Sequence, residues 1–285
     1  MEFHSSNQAL VALTRLTLFE GEQIAPRGQS TREVLGVQFT LSNPKNRIIT
    51  LPSRRFSLPL AIGELCWHLR GDDDVAKLAY YANSWLQFSD DGKRVQGSCY
   101  GKKLLGGTPK NPDHLSRMIN LLNTDPSTRR ATVSFIDNLA DFENSKDISC
   151  VNSIQLLIRN DSLHMFTLMR SNDVFLGVPY DVFLFTNLLE FISLRLKIKM
   201  GSYRHFATSL HMYERNMASC AAIEKEKNFN SGESPKLSSE SAFYRLAEIE
   251  EIIRLGGTNI PKDPELQIYI DSLLNYRYRK YEKSA

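Results

Sequence analysis

The chain has 285 residues and a formal net charge of +3; 42% of its residues are hydrophobic and 24% are charged, which is typical of a globular protein. A charge this small gives no reason to expect nucleic acid as a required partner, and the lack of a long apolar run predicts no membrane span. The four cysteines are scattered without CxxC spacing. We therefore expect neither a metal site nor disulfides, and a reduced, cytoplasmic protein.

Hydrophobic periodicity predicts helices and strands whose order bears on the fold class. The predicted strands are 34–41, 131–136, 153–158 and 162–168, and the predicted helices are 57–69, 74–85, 181–199 and 243–255. Asn160-Asp161 predicts a hairpin turn between the last two strands, and the Ser-rich stretch 224–242 predicts a surface loop. Because helices and strands do not alternate regularly, we expect an α+β fold in one domain over 1–285, not a doubly wound sheet.

Four features of the sequence stand out. They are the pair Arg129-Arg130, the pair Ser149-Cys150 before a predicted strand, the run MRSNDVFLGVPYD over 169–181, and His211-Met212-Tyr213. Each has an ordinary structural explanation when taken alone. A lone cysteine is usually a small buried side chain, an arginine pair usually lies in a solvated loop, and the run can be a tight turn before a helix.

In this order, however, the four features resemble the thymidylate synthase family. The resemblance continues upstream through Glu64-Leu65-Cys66-Trp67, Asn83-Ser84-Trp85 and Tyr100-Gly101-Lys102 to Arg27, and it fades beyond residue 220. It implies a mixed β-sheet packed by helices, an obligate sheet-to-sheet homodimer, and an enzyme that attaches a one-carbon unit to C5 of a pyrimidine nucleoside monophosphate. The implied one-carbon donor is 5,10-methylenetetrahydrofolate, and no metal is implied.

The resemblance also implies roles for individual side chains. Cys150 would be the nucleophile that adds to C6 and thereby makes C5 nucleophilic, with Arg170 as the cation that a reactive thiolate needs. Glu64 would organise water and move protons at C5. The implied phosphate ligands are Arg27, Arg170 and Ser171, together with Arg129 and Arg130 reaching across from the other subunit. His211 and Tyr213 would bind the sugar hydroxyl, and Trp85, Asp173 and Tyr100 would lie near the folate or the ring.

Asp181 is the departure that bears on the base, because the methylating enzymes carry Asn after the Gly-Val-Pro-Tyr run that ends at Tyr180. An Asn amide pairs with N3–H and O4 of uracil. A carboxylate accepts instead from the N4 amino group of cytosine and, if the ring is protonated there, from N3. Facing O4 of uracil, it would set lone pair against lone pair, at a cost of about 1–3 kcal/mol. We therefore predict a cytidine nucleotide as substrate, with helix N-capping by Asp181 as the alternative explanation.

Asn172 supports the same prediction, since Asn172 and Asp181 together resemble the cytidylate (dCMP or CMP) hydroxymethylases, which finish with water instead of hydride. Further departures are Ser149-Cys150-Val151 in place of Pro-Cys-His, and Thr208-Ser209 in place of the Gly-Asp that usually precedes the His-x-Tyr motif. The sequence ends RYRKYEKSA, without the apolar tail that closes over folate in the methylating enzymes. A less sealed site favours water as the final nucleophile. The change before the His-x-Tyr motif leaves ribose and deoxyribose both open.

Two alternatives remain open. One is reductive C5 methylation of dUMP or UMP by a thymidylate synthase variant. The other is a nucleotide- or RNA-binding relative that has lost catalysis. The joint presence of Cys150, Arg170 and Glu64 argues against this second alternative.

Overall fold

The computed structural model describes residues 1–107, 113–136, 142–227, 229 and 232–282. The strands among them are β1 (Glu2–Phe3), β2 (Glu22–Ile24), β3 (Thr31–Leu41), β4 (Thr132–Ser134), β5 (Val151–Arg159), β6 (Ser162–Met169), β7 (Asn172–Asp173) and β8 (Lys199–Tyr213). They form one sheet in the order β1-β3-β8-β6-β5-β4, with β2 paired to β3 and β7 paired to β8. The sheet is mixed, because β8 is antiparallel to β3 and parallel to β6.

Helices cover the sheet in layers. The helices of the described residues are α1 (Ser6–Glu20), α2 (Leu58–Leu69), α3 (Val75–Ala79), α4 (Tyr100–Leu105), α5 (His114–Thr124), α6 (Val178–Leu196), α7 (Met217–Glu224), α8 (Ser241–Arg254) and α9 (Gln267–Glu282). Helix α6 contacts β6, β8 and α2, and α2 in turn contacts α8 and α9. Helix α6 is buried around most of its circumference, as its long apolar sequence predicts. The mixed sheet with helices packed on it confirms the predicted α+β class.

The hairpin predicted at Asn160-Asp161 is confirmed. The antiparallel strands β5 and β6 meet there, and the two turn residues have left-handed φ values of 50° and 53°. Asn and Asp enter this region at lower cost than most other residues with a Cβ. The strand predicted over 34–41 begins earlier, at Thr31, and the strand predicted over 131–136 is shorter, at Thr132–Ser134.

The helix predicted over 74–85 is wrong in its second half. Helix α3 ends at Ala79, and a separate 3₁₀ helix covers Asn83–Phe88. The backbone carbonyl of Tyr80 accepts a hydrogen bond from the Tyr276 hydroxyl at 2.9 Å. A side chain from α9, near the other end of the sequence, therefore takes up a carbonyl that a longer α3 would have used.

The helix predicted over 181–199 is displaced. Helix α6 begins earlier, at Val178, and ends at Leu196 with Lys197 as a left-handed cap at φ 57°. Strand β8, which starts at Lys199, was not predicted. Pairing with β3 on one side and β6 on the other holds it in place, although its residues do not alternate strictly between polar and apolar.

The stretch 224–242, predicted as a surface loop, is partly buried. Its described residues contain neither helix nor strand between Glu224 and Ser241, but Ser234 and Leu237 are buried. The Ser234 hydroxyl accepts a hydrogen bond from the buried guanidinium of Arg47 at 2.6 Å, and Arg47 also pairs with a glutamate of α6. A buried charge needs every such partner, so this stretch is attached to the core.

Candidate active site

Cys150 and Arg170 are brought together by the register of the β5–β6 hairpin. Strand β5 begins directly after Cys150, and β6 ends directly before Arg170, whose backbone N–H donates to the Cys150 carbonyl at 2.9 Å. The Arg170 guanidinium donates to the carbonyls of Ser149 and Ile148 at 2.8 Å each. Its Nη2 lies 4.0 Å from the Cys150 sulfur. The hairpin therefore fixes a cation beside the thiol.

The proximity of Arg170 does not by itself make Cys150 a thiolate. Burial raises the pKa of the Cys150 thiol to about 11, with Arg170 acting in the opposite direction. The nearby carboxylates of Asp181 and Asp147 raise this pKa further, while Arg27 lowers it. The thiol is therefore neutral at pH 7 before substrate binds, and its proton must leave as the sulfur reacts.

Asp147 anchors the segment that leads into Cys150, and the sequence analysis missed it. Its carboxylate accepts hydrogen bonds from the backbone N–H of Gly97 at 2.6 Å, and from the N–H and hydroxyl of Ser98 at 2.8 and 2.6 Å. A Cβ at Gly97 would lie 2.2 Å from the Asp147 carbonyl oxygen, so this close approach requires glycine. The sequence signal that could have revealed Asp147 is the Gly97-Ser98 pair, which lies just before Tyr100, a residue already assigned to the site.

Tyr100 begins α4 on the other side of this segment and is buried. Burial raises the pKa of its phenol, and the charges of Cys150 and Asp181 act in the same direction, which places the ring near both groups. The ring stacks on His68 with centroids 5.4 Å apart, and His68 Nδ1 accepts from the N–H of Gly101 at 3.1 Å. The phenol is therefore held in one place beside the thiol.

Asp181 lies in the first turn of α6 and is engaged by a side chain instead of capping the helix. Its Oδ2 accepts a hydrogen bond from Asn172 Nδ2 at 2.6 Å, and the helix has no side-chain cap at Gly177. A Cβ at Gly177 would come within 2.8 Å of Asn172 Nδ2 and 3.2 Å of Asp181 Oδ2, so glycine leaves room for this pair. Burial raises the pKa of Asp181 to about 7, although the Asn172 hydrogen bond lowers it.

Glu64 faces Asp181 from α2. Burial raises the pKa of Glu64 to about 8, and the charge of Asp181 adds to the increase. A hydrogen bond from the Trp85 indole to Glu64 acts in the other direction. Two carboxyl groups with raised pKa values that act on one another are an arrangement suited to proton transfer near neutral pH.

Asp173 and His211 are opposite one another in the parallel pair of β7 and β8. Asp173 Oδ1 accepts from the backbone N–H groups of Phe175 and Leu176 at 2.7 and 3.0 Å, whereas Oδ2 is buried without a partner among the described residues. Burial raises the pKa of Asp173 and lowers that of His211. The ring of Tyr213 meets that of His211 edge to face, with centroids 5.3 Å apart.

The cations predicted to bind phosphate differ in their position relative to Cys150. Arg27 is exposed in a left-handed turn at φ 52°. Its positive charge lowers the pKa of Cys150, as does that of Arg170. Ser171 is half-buried next to Arg170. Arg129 and Arg130 are exposed just before β4 and are not among the charges that act most on Cys150. Arg27 and Arg170 thus act on the thiol of their own chain, whereas the pairing of β4 with β5 sets the Arg129-Arg130 pair beside Gln155, further along β5 from Cys150.

Two further properties complete the description of the site and its surroundings. Within the described ranges, no group of three or more His, Cys, Asp or Glu side chains is arranged to hold a metal ion. No helix of those ranges has the length and apolar character needed to cross a membrane.

Residues 9–252 match the thymidylate synthase family. The chain belongs to this family. The match extends past the point, residue 220, at which the sequence motifs fade, so that limit was drawn too short. The thymidylate synthase family uses 5,10-methylenetetrahydrofolate as its one-carbon donor.

Individual relatives fall into two groups. The chain is 31% identical over 205 residues to the deoxyuridylate hydroxymethyltransferase of Bacillus phage SP01, and 29% identical over 191 residues to that of Delftia phage PhiW-14. These matches cover 68% and 62% of this chain but only 53% and 52% of the phage proteins, so the chain spans about half of their length. It is 25% identical over 215 residues to the thymidylate synthase of Buchnera aphidicola, which covers 74% of this chain and 80% of that protein.

The raised pKa of Glu64 predicts a stabilising substitution. The folded protein holds this proton more tightly than the unfolded chain, so Glu64 makes folding less favourable as pH rises from 4.5 towards about 8. We expect Glu64→Gln to raise the melting temperature at pH 9 by about 2–4 °C, the shift that 1 kcal/mol produces in a large domain. Melting curves at pH 9 and pH 5 check this, because the difference should shrink at pH 5. A variant that is less stable at pH 9 would contradict the buried position of Glu64.

Proposed function

We propose that the chain is a folate-dependent C5 hydroxymethyltransferase of a cytidine monophosphate, CMP or dCMP, acting through a covalent bond between Cys150 and C6. Membership of the thymidylate synthase family supports one-carbon transfer to a pyrimidine nucleotide. The contact between Asn172 and Asp181 supports cytosine, and it is the observation on which the choice of base rests.

The pairing of Asp181 with cytosine needs one proton between them. A carboxylate meeting a neutral cytosine can accept from N4, but its second oxygen then faces the N3 lone pair. With its pKa raised to about 7, Asp181 can carry the missing proton itself and donate it to N3. Asn172 already donates to Oδ2, so Oδ1 is left to hold the proton. In this arrangement the cytosine ring need not be protonated beforehand.

The same proton has a part in the chemistry. Addition of the Cys150 sulfur to C6 forms an S–C bond and sends an electron pair through the ring towards N3. A proton transferred from Asp181 to N3 neutralises that charge. The thiol proton is lost to water as the sulfur reacts, and Arg170 stabilises the negative charge on the sulfur. Glu64 is protonated below a pH of about 8, and once ionised it can accept the proton that C5 must lose.

The residues near the thiol fit the folate that the family uses. The buried, partnerless Oδ2 of Asp173 is an acceptor suited to the amino and N–H donors of a pterin. Trp85 is half-exposed beside Glu64 and can stack on a flat ring, with Tyr100 behind the thiol. Bound 5,10-methylenetetrahydrofolate supplies the one-carbon unit. Asp173, Trp85 and Tyr100 would hold it, and water reaching the cleft would complete the hydroxymethyl group.

The proposed enzyme is a homodimer in which each chain lends Arg129 and Arg130 to the other chain's phosphate site. Both side chains are exposed, and the pairing of β4 with β5 sets their backbone beside Gln155 instead of Cys150. Strand β6 presents Phe166 and Leu168, both half-buried, on the face opposite its core residues, which is suitable for a second sheet. Sedimentation as a dimer is required by this proposal, and an active monomer would rule it out.

The proposed use of Asp181 predicts proton uptake when CMP binds. Below pH 7 the carboxyl group already carries its proton, so Asp181 adds no pH dependence to the CMP affinity there. Above pH 7 the proton must be taken from solution, and the affinity should fall by up to about tenfold per pH unit. Calorimetry in buffers of different ionisation enthalpy at pH 8 should detect close to one proton bound per CMP. No uptake at pH 8, or an affinity that rises with pH, would contradict the role given to Asp181.

A second candidate function is hydroxymethylation of a uridylate, which the names of the two phage relatives favour. Release of tritium from C5 of labelled CMP, dCMP, UMP and dUMP, in the presence of methylenetetrahydrofolate, decides between the two. Release from a cytidylate is the expected result, and release from uridylates alone would transfer the proposal to the second candidate. Formation of dihydrofolate during turnover would instead indicate reductive methylation.

A further inference from the structure

A row of polar side chains crosses the sheet beside His211. In the antiparallel pair of β3 and β8, Glu33 is directly opposite His211, and β7 places Asp173 opposite His211 on the other side. On the far side of β3, Glu22 is opposite Glu33. Directly opposite residues in an antiparallel pair point to the same face, with Cβ atoms about 4.5–5.5 Å apart. Glu33 and Asp173 therefore flank His211 on one face of the sheet.

The carboxylates on either side of His211, those of Asp173 and Glu33, differ in whether an accessible oxygen can accept a hydrogen bond from a ligand. Oδ1 of Asp173 accepts from backbone N–H groups, and its buried, partnerless Oδ2 is the atom assigned to the folate in the proposed function. Glu33 is half-buried, and its Oε1 accepts a hydrogen bond from the Ser209 hydroxyl. Its Oε2 has no partner among the described residues and is not buried. Glu33 therefore has one accessible carboxylate oxygen, held in orientation by the Ser209 hydrogen bond, on the strand next to His211.

Ser209 and Glu33 form a complementary pair, in which a hydroxyl donor meets a carboxylate acceptor. Ser209 is one residue of the Thr208-Ser209 pair that departs from the family sequence, where an acidic residue is usual. An acid at this position would repel Glu33, whereas the serine hydroxyl donates to it. The charge of Glu33 also reaches His211: burial lowers the pKa of His211, and Glu33 is among the groups that raise it. A departure from the family thus creates a fixed acceptor next to the sugar-binding histidine.

We propose that Glu33, oriented by Ser209, accepts a hydrogen bond from the 2′-hydroxyl of the substrate, so that the chain prefers the ribonucleotide CMP to dCMP. This inference rests on the proposed function, which places the sugar at His211. The 2′- and 3′-hydroxyls of ribose are on adjacent carbons, so a sugar whose 3′-hydroxyl meets His211 brings the 2′-hydroxyl to one of the neighbouring strands. Glu33 is the neighbour with an accessible oxygen.

A deoxyribose would leave this carboxylate without its donor. The Glu33 oxygen would lose water on substrate binding and meet a methylene group instead. A site built around a substrate hydroxyl discriminates against the analogue that lacks it, because its own polar group is then left unpaired. Carboxylates bind ribose 2′-hydroxyls in this way in dinucleotide sites. A ribonucleotide preference would separate this chain from the two phage relatives, whose names specify a deoxyuridylate.

The test is a binding experiment that does not depend on turnover. Calorimetric titrations of a Cys150→Ser variant with CMP, dCMP, UMP and dUMP give the ratio of deoxy to ribo dissociation constants for each base. We expect CMP to bind about 10-fold to 100-fold more tightly than dCMP. Glu33→Leu in the same background should weaken CMP binding and relieve the penalty on dCMP, so that the two nucleotides bind with equal affinity. Glu22→Leu, which removes the same charge from the neighbouring strand, is the control and should leave the ratio unaltered.

Each outcome decides for or against the inference. Equal binding of CMP and dCMP, or an equal loss of both in Glu33→Leu, would overturn it while leaving the nucleotide site in place. Tighter binding of UMP than of dUMP, without tighter binding of CMP than of dCMP, would support the role given to Glu33. It would count against the choice of cytosine that rests on Asp181. Failure of all four nucleotides to bind would remove both the inference and the function on which it rests.

Discussion

Cys150→Ser is expected to abolish formation of any C5-modified nucleotide while leaving nucleotide binding within about threefold of the unsubstituted chain. The hydroxyl is isosteric with the thiol but is a far weaker nucleophile, so the loss should be about 10⁴-fold or more in kcat. Arg170 keeps its bonds to the Ser149 and Ile148 carbonyls in this variant, because they do not involve the sulfur. Turnover and calorimetric binding, measured on the same preparation, check both parts.

The matched control for this substitution is Cys220→Ser. Cys220 is a buried thiol in α7 that has no role in the proposed chemistry. The Cys220→Ser variant should therefore keep the activity of the unsubstituted chain, with at most a modest loss of stability. Residual turnover in Cys150→Ser above one part in a thousand would contradict the covalent route. Loss of binding in this variant would show that the thiol has a structural part beyond the one described.

Asp181→Asn is expected to move the base preference from cytidylates towards uridylates. The substituted amide can donate to O4 and accept from N3–H of uracil. Turned over, it can also donate to N3 and accept from N4 of cytosine, but unlike the Asp181 carboxyl it cannot transfer a proton to N3 when the sulfur adds to C6. Loss of this proton transfer slows the reaction of cytidylates, whereas uridylates gain a matched partner, so the ratio of kcat/KM values for the two bases should change by about 10²–10⁴-fold. Competition of CMP with UMP, and of dCMP with dUMP, measures this ratio directly.

Asp161→Asn is the control for this prediction, and Asn172→Ala tests the hydrogen bond to Asp181. Asp161→Asn makes the same chemical change in the exposed hairpin turn, where Asn is equally suited to the left-handed backbone, and should leave the ratio unchanged. Asn172→Ala removes the donor at 2.6 Å from Asp181 and so should raise the pKa of Asp181 further. An Asp181→Asn variant with unaltered base preference would mean that the base is read elsewhere.

The elements that local sequence signals determine were predictable. The Asn160-Asp161 turn specifies its hairpin, and the register of that hairpin is what sets Arg170 against Cys150. The apolar run in α6 specifies a buried helix. The motif resemblance correctly indicated the family, since its residues are distributed along the chain in a characteristic order.

The features that depend on distant contacts were not predictable from local signals. Helix α3 ends early because Tyr276, almost two hundred residues later, bonds the Tyr80 carbonyl. Strand β8 exists because two strands from separate parts of the chain pair with it. Asp147 has no sequence signature of its own, and its importance appears only when Gly97 and Ser98 are seen donating to it.

Some electrostatic properties of the site also needed the fold. The sequence places a cation after β6, but only burial explains why the pKa of Cys150 is raised to about 11 despite that cation. Asp181 looked like either a base-reading residue or a helix cap from the sequence. The structure shows Gly177 at the N-cap and Asp181 bonded to Asn172, so Asp181 does not cap the helix, and its reading of the base stays a prediction.

The most direct test of the account is to identify the product formed when CMP, dCMP, UMP and dUMP are offered together with methylenetetrahydrofolate. Mass spectrometry of the nucleotides should find a cytidylate that has gained a hydroxymethyl group at C5, with the uridylates unchanged and no dihydrofolate produced. A methylated or hydroxymethylated uridylate as the sole product would contradict the reading of Asp181 and Asn172 on which the choice of cytosine depends.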